Sequence, residues 1–244
     1  MTPFKCLAVA LSCSFLLSLA FAADSSETGF LDRVYRDAEG KEHKYVLFVP
    51  ADYKGDRAYP VVLFLHGSGE SGTDGKKQAG QGLGNAIKKR EKDFPALAVF
   101  PQSAKRTWKA DSDDAQRALK ILEVVQKEYK TDPKRVYLTG LSMGGFGTWS
   151  LAAKYPDQWA AIVPICGGGN PADADKIKHI PCWNFHGDED KAVKVTMSRD
   201  MIAALEKAGG KPKYTEYPGV GHNSWDKAYA TPELWEWLLQ QKLK

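Results

Sequence analysis

Cysteine is scarce in this chain, with four residues in 244. A small scaffold held together by disulfides would be far richer in cysteine, so the fold must depend on a hydrophobic core. An excess of charge of one sign is also lacking, because 34 basic and 30 acidic side chains leave a formal net charge of +4. Such a weak and dispersed excess does not favour nucleic-acid binding, and we expect no nucleic-acid partner.

Long apolar runs are rare as well, and the most evident one, Leu7 to Leu19, lies at the N-terminus. It is shorter than the roughly 20 residues that a membrane-spanning helix needs. Lys5 precedes it and Ala20-Phe21-Ala22 follows it, which is typical of a secretory signal peptide with its cleavage site. We therefore expect residues 1–22 to be removed and residues 23–244 to form one domain. That domain would be secreted or periplasmic, with no membrane anchor.

Apolar and amphipathic segments alternate along the rest of the chain. Continuous apolar runs are typical of strands buried on both faces, and the segment from Asp113 to Tyr129 repeats its apolar residues with a helical period. The alternation predicts an α/β fold, a mostly parallel eight-stranded sheet with helices on both faces. The predicted strands are Val34–Tyr35, Tyr45–Val49, Val61–Leu65, Leu97–Phe100, Val136–Thr139, Ala160–Ile165, Trp183–Phe185 and Tyr214–Tyr217, and the further predicted helices are Gly145–Tyr155, Val193–Ala208 and Pro232–Gln241.

The two cysteines beyond the leader, Cys166 and Cys182, are predicted to be buried thiols. Cys166 follows one predicted strand, whereas Cys182 precedes the next. Opposite ends of neighbouring strands lie beyond the Cα separation of about 7 Å that a disulfide can span.

Residues 140–144 read Gly-Leu-Ser-Met-Gly, a G-x-S-x-G motif between a predicted strand and a predicted helix. A serine on so sharp a turn needs neighbours without bulky side chains, because the backbone is strained and the two elements pack closely. The glycines of the motif and Gly145 meet that need. We therefore interpret Ser142 as a nucleophile, placed where the helix N-terminus favours developing negative charge.

A serine hydroxyl is a weak nucleophile that needs a base. With this type of turn, the chain order is serine, then an acid, then histidine, and His222 follows the last predicted strand. His179 precedes a strand and so lies at the opposite edge of the sheet, and His186 is interpreted as structural. We predict that His222 is the base.

The acid must lie between Ser142 and His222, and the loop after the seventh predicted strand offers Asp188, Glu189 and Asp190. One carboxylate would hold the imidazole in the required tautomer, and the others would belong to a solvated turn. Spacing alone does not choose between Asp188 and Asp190. The three carboxylates lack the spacing of a calcium loop, and we predict neither a metal nor a cofactor.

Two backbone N–H groups are expected to stabilise an oxyanion. One belongs to Met143, the residue after the nucleophile, and the other comes from the loop after the third strand. That loop reads Gly-Ser-Gly at residues 67–69. We predict that the Ser68 N–H is the second donor, with Gly67 as the alternative.

Taken together, these segments resemble a known family, the compact α/β-hydrolases of the phospholipase/carboxylesterase, dienelactone-hydrolase-like and prolyl-oligopeptidase-like groups. They are most similar to secreted esterases often labelled predicted peptidases. The resemblance implies the α/β-hydrolase fold without a large lid domain, and it implies Asp190 rather than Asp188 as the acid. It covers nearly all of residues 61–237, and its motifs lie at residues 65–70, 140–145, 166–169, 186–193 and 221–222.

Aromatic residues near these segments are candidates for the substrate pocket. Trp108 and Trp225 follow predicted strands near the site, and we expect them, with Gly67, to contact substrate. Trp149 lies on the helix after Ser142, where core packing is expected.

The predicted function is hydrolysis of carboxylic esters through an acyl-enzyme by a catalytic domain at residues 23–244. Without a lid, a long acyl chain would gain little of the free energy of full burial. We therefore expect short-acyl or aryl esters, either small molecules or acetyl and feruloyl groups linked to polysaccharide. Two alternatives remain open: a serine peptidase of prolyl-oligopeptidase-like type, and a non-catalytic secreted binding protein on a hydrolase scaffold.

Overall fold

The computed structural model describes residues 27–244, so the predicted leader lies outside the described residues. The strands are β1 Gly29–Arg36, β2 Glu42–Val49, β3 Tyr59–Leu65, β4 Leu97–Phe100, β5 Thr131–Leu141, β6 Ala161–Ile165, β7 Trp183–Gly187 and β8 Lys213–Tyr217. The α-helices are α1 Leu83–Lys88, α2 Asp113–Glu128, α3 Met143–Lys154, α4 Ala174–Ile177, α5 Thr196–Lys207, α6 Trp225–Ala230 and α7 Pro232–Gln240.

The eight strands form one sheet in the order β1-β2-β4-β3-β5-β6-β7-β8. The β2 strand pairs antiparallel with both β1 and β4, and every pairing from β4 to β8 is parallel. The mostly parallel sheet predicted from the sequence is therefore confirmed. Because β5 lies between β3 and β6, the end of β5 is a central position of the sheet.

Two hydrophobic layers cover the sheet, one on each face. Alternate residues of β3 divide between them, with Leu63 and Leu65 in the layer of Trp108 and with Phe64 in the layer of Tyr229. Every residue of β3 is buried, which explains its continuous apolar sequence. Helices α2 and α3 contribute to the first layer, and α1, α6 and α7 contribute to the second.

The cysteines lie as predicted, as two buried and unbridged thiols. Cys182 pairs with Ile162 near the start of β6, whereas Cys166 follows Ile165 at the end of that strand. Opposite strand ends therefore separate the two thiols. Within residues 27–244, no helix combines the length and the apolar character needed to cross a bilayer.

Gly144 lies where the turn after β5 tolerates no side chain. A Cβ at this position would lie 1.8 Å from the Leu65 carbonyl oxygen, so Gly144→Ala should lower the free energy of unfolding by about 3 kcal/mol or more. Gly69→Ala is the matched control, because a Cβ there meets nothing within 4 Å and should change stability by less than about 0.5 kcal/mol. Chemical denaturation measures both, and equal stabilities would contradict this packing.

Candidate active site

Ser142 lies between β5 and α3 with a strained backbone, at φ 53° and ψ −117°. A serine at positive φ costs free energy and persists only where its surroundings hold it. Its N–H donates to the Ile165 carbonyl at 3.0 Å, and its carbonyl accepts from the Phe146 N–H at 3.0 Å. These contacts fix the hydroxyl at the carboxyl end of the central strand.

The structure brings His222 and Asp190 to this serine. The His222 Nε2 lies 2.9 Å from the Ser142 Oγ, and the His222 Nδ1 lies 2.7 Å from the Asp190 Oδ2. Because the carboxylate takes the Nδ1–H, the Nε2 lone pair faces the serine hydroxyl. The competing residue Asp188 is exposed, and its Oδ1 instead accepts from the Gly219 N–H at 2.7 Å.

Asp190 is fully surrounded by donors. Its Oδ1 accepts from the backbone N–H groups of Ala192 and Val193 at 2.8 and 2.9 Å, and its side chain is 0% exposed. Burial alone would raise the pKa of this carboxyl, but the hydrogen bonds from His222, Val193 and Ala192 outweigh burial and lower it. The group is therefore held as a carboxylate.

The glycine loop after β3 lies against Ser142. A Cβ on Gly67 would lie 3.7 Å from the Ser142 Cβ. Among the described residues, the backbone N–H groups of Gly67, Ser68 and Met143 have no backbone acceptor. Met143 begins α3, where N–H groups lack an intrahelical partner. The Met143 N–H adjoins Ser142 along the chain and the glycine loop lies against Ser142 in space, but the assignment of the second oxyanion donor to Ser68 rather than Gly67 stays a prediction.

A buried histidine braces this loop. The His66 Nδ1 lies 2.6 Å from the Gly67 carbonyl oxygen, and the Ser103 N–H donates to the His66 Nε2 at 2.9 Å. The ring must therefore carry its proton on Nδ1 and be neutral, and burial lowers the pKa of His66 to about 4. Trp108 also holds this segment in place, because its Nε1–H donates a hydrogen bond to the His66 carbonyl oxygen at 3.0 Å.

A cavity of about 540 Å³ opens beside Ser142. Trp108 and Trp149 both line it. Both are also buried in the hydrophobic core, which is the packing expected for Trp149, and substrate contact by Trp108 stays a prediction. Trp225 lies elsewhere, with its ring edge-on to His222 at a centroid distance of 5.3 Å, so it supports the base rather than the cavity wall. The apolar wall consists of Trp108, Met143, Phe146, Trp149, Ile177 and Met201.

Phe146 and Met197 were not singled out from the sequence. Three large apolar residues are exposed among the described residues. Phe146 and Met197, at 36% and 39% exposure, are two of them, and the third is Val34 on the edge strand β1. Phe146 lines the cavity, and Met197 contacts Gly168 of the cavity wall. The sequence does contain one indication that Phe146 lies beside Ser142. Phe146 is four residues after Ser142, and residues four apart lie on the same face of a helix.

Ligand atoms of Cys166, Asp190 and His222 lie within 4.8 Å of one another. Asp190 and His222 already share a hydrogen bond, and burial raises the pKa of the Cys166 thiol to about 12. The thiol is therefore protonated at neutral pH, and this group is better suited to proton transfer than to holding a metal.

A serine at a strand-to-helix turn, followed along the chain by a carboxylate and a histidine at strand ends, defines the α/β-hydrolase class. The Esterase family model, described as "Putative esterase", matches residues 38–183. The chain belongs to this esterase family.

Similar proteins agree with the assignment. The bifunctional acetylxylan esterase/xylanase XynS20E of Neocallimastix patriciarum is 30% identical over 53% of this chain and 21% of its own length. Carboxylesterase SOBER1 of Arabidopsis thaliana is 24% identical over 77% of this chain and 92% of its own length. The chain thus spans about a fifth of the first relative and nearly all of the second.

Solved structures share the fold. A thermostable esterase has 36% sequence identity and a TM-score of 0.77, with 87% of this chain and 63% of that chain covered. The feruloyl esterase module from Clostridium thermocellum, solved with sinapinate, has 18% identity and a TM-score of 0.65, with 87% of each chain covered.

The neutral His66 predicts acid sensitivity. Its pKa is depressed to about 4 in the folded state, against about 6.5 when unfolded, so the unfolded chain binds an extra proton between these values. Stability should therefore be lost as pH falls from about 6.5 toward 4. His66→Gln should reduce the slope of unfolding free energy by about 1.4 kcal/mol per pH unit in this window. Urea denaturation measures the slopes, and identical slopes would contradict the buried neutral ring.

Proposed function

We propose that this chain is a secreted serine esterase that hydrolyses carboxylic esters through a covalent acyl-enzyme. The hydrogen-bonded chain from the Ser142 Oγ through the His222 imidazole to the Asp190 carboxylate, at 2.9 and 2.7 Å, carries the proposal. A base within this distance can take the serine proton during attack.

In the proposed mechanism, the Ser142 oxygen attacks the ester carbonyl carbon while its proton passes to the His222 Nε2. The N–H groups of Met143 and Ser68 stabilise the oxyanion, and Asp190 stabilises the imidazolium. The tetrahedral intermediate then collapses, and the leaving alkoxide takes the proton from His222. Water, activated by the same histidine, releases the carboxylic acid and restores the Ser142 hydroxyl.

The cavity beside Ser142 is suited to the acyl side of the ester. The leaving alcohol must meet the His222 Nε2, but His222 is not part of the cavity wall. The acyl group therefore extends along α3 into the cavity. Its wall of indole, phenyl, thioether and aliphatic groups favours a flat aryl acyl group, which can gain about 0.5–1.5 kcal/mol from each aromatic contact.

We further propose hydroxycinnamoyl esters, such as feruloyl groups on polysaccharide, as the preferred substrates, with acetyl esters as the alternative. The volume and the aromatic lining support the larger acyl group. The acetylxylan esterase/xylanase named above supports a polysaccharide substrate. Feruloyl esterase B of Piromyces equi, which is 26% identical over 62% of this chain, supports the feruloyl group. The predicted leader at residues 1–22 supports export.

Asp190→Asn and Asp188→Asn form a matched pair that tests the proposed mechanism. An asparagine at 190 fills the same space but stabilises the wrong imidazole tautomer, so kcat should fall by about 10⁴-fold. Asp188→Asn, on the exposed side of the same loop, should retain kcat within about twofold. Steady-state kinetics on methyl ferulate and nitrophenyl acetate measure both variants. A similar loss in each variant would contradict Asp190 as the acid.

Phe146→Ala tests the assignment of the cavity. Loss of an aromatic wall should lower kcat/KM for methyl ferulate about 2- to 10-fold and affect nitrophenyl acetate much less, because an acetyl group extends only one methyl group beyond the carbonyl carbon. Val34→Ala is the control, since Val34 is similarly exposed on β1. Equal effects of Phe146→Ala on both esters would contradict the aryl-acyl assignment.

A further inference from the structure

His186 lies near the end of β7 and contacts the same carboxylate oxygen of the proposed acid as the proposed base does. Its Nε2 is 3.1 Å from the Asp190 Oδ2 and 3.0 Å from the Val193 carbonyl oxygen. Its Nδ1 is 2.7 Å from the hydroxyl oxygen of Ser198 on α5. The His186 side chain is 0% exposed, and it is not part of the cavity wall.

These partners define the protonation of the ring. Two acceptor oxygens face the Nε2, so this nitrogen must carry a proton. Burial lowers the pKa of His186, which favours the neutral ring with an unprotonated Nδ1. That Nδ1 lies 2.7 Å from the Ser198 hydroxyl oxygen, whereas the competing acceptor, the Gly167 carbonyl oxygen, lies 3.3 Å from it, so we assign the hydroxyl proton to the shorter bond with Nδ1. The Asp190 Oδ2 therefore receives N–H groups from two imidazoles, His222 and His186.

We propose that His186 is a positioning residue for the catalytic acid: its Nε2–H fixes the Asp190 oxygen that orients His222, and Ser198 fixes the tautomer of His186. This inference rests on the proposed function of Ser142, Asp190 and His222. It makes the interpretation of His186 as a structural residue specific: the ring holds the acid in place and takes no part in proton transfer.

The neutral Nε2–H of His186 is a second hydrogen-bond donor to the Asp190 carboxylate, and its lack of charge determines its electrostatic effect. It stabilises the Asp190 carboxylate without adding a positive charge beside His222. If that donor is removed, the carboxylate binds a proton more strongly and also stabilises a protonated His222 more strongly. The base is then neutral only at higher pH, so the acidic limb of the kcat/KM profile should move upward.

The other ionisable groups around His186 do not produce the same shift. Glu216 on β8 lies opposite His186 in the sheet, and its hydrogen bonds with Arg199 lower the pKa of Glu216 to about 2. The Cys166 thiol beside Asp190 has its pKa raised to about 12 by burial. Neither group titrates between pH 5 and 9, so that limb reports on the chain of His186, Asp190 and His222.

His186→Phe and His186→Gln separate positioning from packing. Phenylalanine fills the ring volume without a donor, and it should lower kcat by on the order of 10- to 100-fold, the range for a hydrogen bond to a charged group. The acidic limb of the kcat/KM profile should also move upward by at least half a pH unit.

Glutamine at position 186 can place an amide N–H near the Nε2 position. The His186→Gln variant should therefore retain most of kcat and the wild-type position of the acidic limb. His179→Phe, at an exposed histidine, is the control.

A folded His186→Phe variant with wild-type kcat and an unmoved limb would overturn the proposal. Equal losses in His186→Phe and His186→Gln, with no change in the pH profile, would also overturn it. Failure of the wild-type protein to hydrolyse any ester would instead contradict the proposed function, so the two failures are distinguishable.

A measurement on the wild-type protein covers the case in which His186→Phe does not fold. Nitrogen-15 NMR of the histidine rings should show His186 as a neutral Nε2–H tautomer at neutral pH. In Ser198→Ala, which removes the donor to Nδ1, the Nδ1–H tautomer should become populated and kcat should fall. A wild-type His186 found as the Nδ1–H tautomer would overturn the proposal.

Discussion

The contact between the backbone of Gly144 and the Leu65 carbonyl determines the geometry on which the site depends. A Cβ on Gly144 would lie 1.8 Å from this oxygen, and a Cβ on Gly145 would lie 2.4 Å from the Ile165 oxygen. The helix after the nucleophile is thus packed directly against the ends of β3 and β6. Because backbone atoms leave no room for adjustment, the strained Ser142, the glycine loop and the loop after β6 have one relative arrangement.

Buried polar groups then fix the side chains around that arrangement. His66 links the glycine loop to the Ser103 N–H, and Asp190 receives two backbone and two imidazole donors. Buried polar groups are costly unless each is hydrogen-bonded, and a fully satisfied network holds its members in one geometry. The site therefore combines an open substrate cavity with a rigid set of reacting groups.

The sequence predicted the sheet, the position of Ser142 and the location of His222, because each depends on local pattern and chain order. It did not predict the short helices α4 and α6, which have four and six residues and too few turns for an apolar period. Residue spacing alone did not choose between Asp188 and Asp190, since the choice depends on which side of one turn faces the imidazole. The different positions of Trp108 and Trp225 also depend on side-chain direction, which periodicity does not determine.

The central claim is that Ser142 is the nucleophile, and active-site labelling tests it most directly. The protein is treated with a fluorophosphonate, digested and mapped by mass spectrometry, with Ser142→Ala and heat-denatured protein as controls. We expect one phosphonyl group per folded molecule, attached to Ser142, and none in either control. A label on another residue, or no label on folded protein that hydrolyses methyl ferulate, would contradict the account.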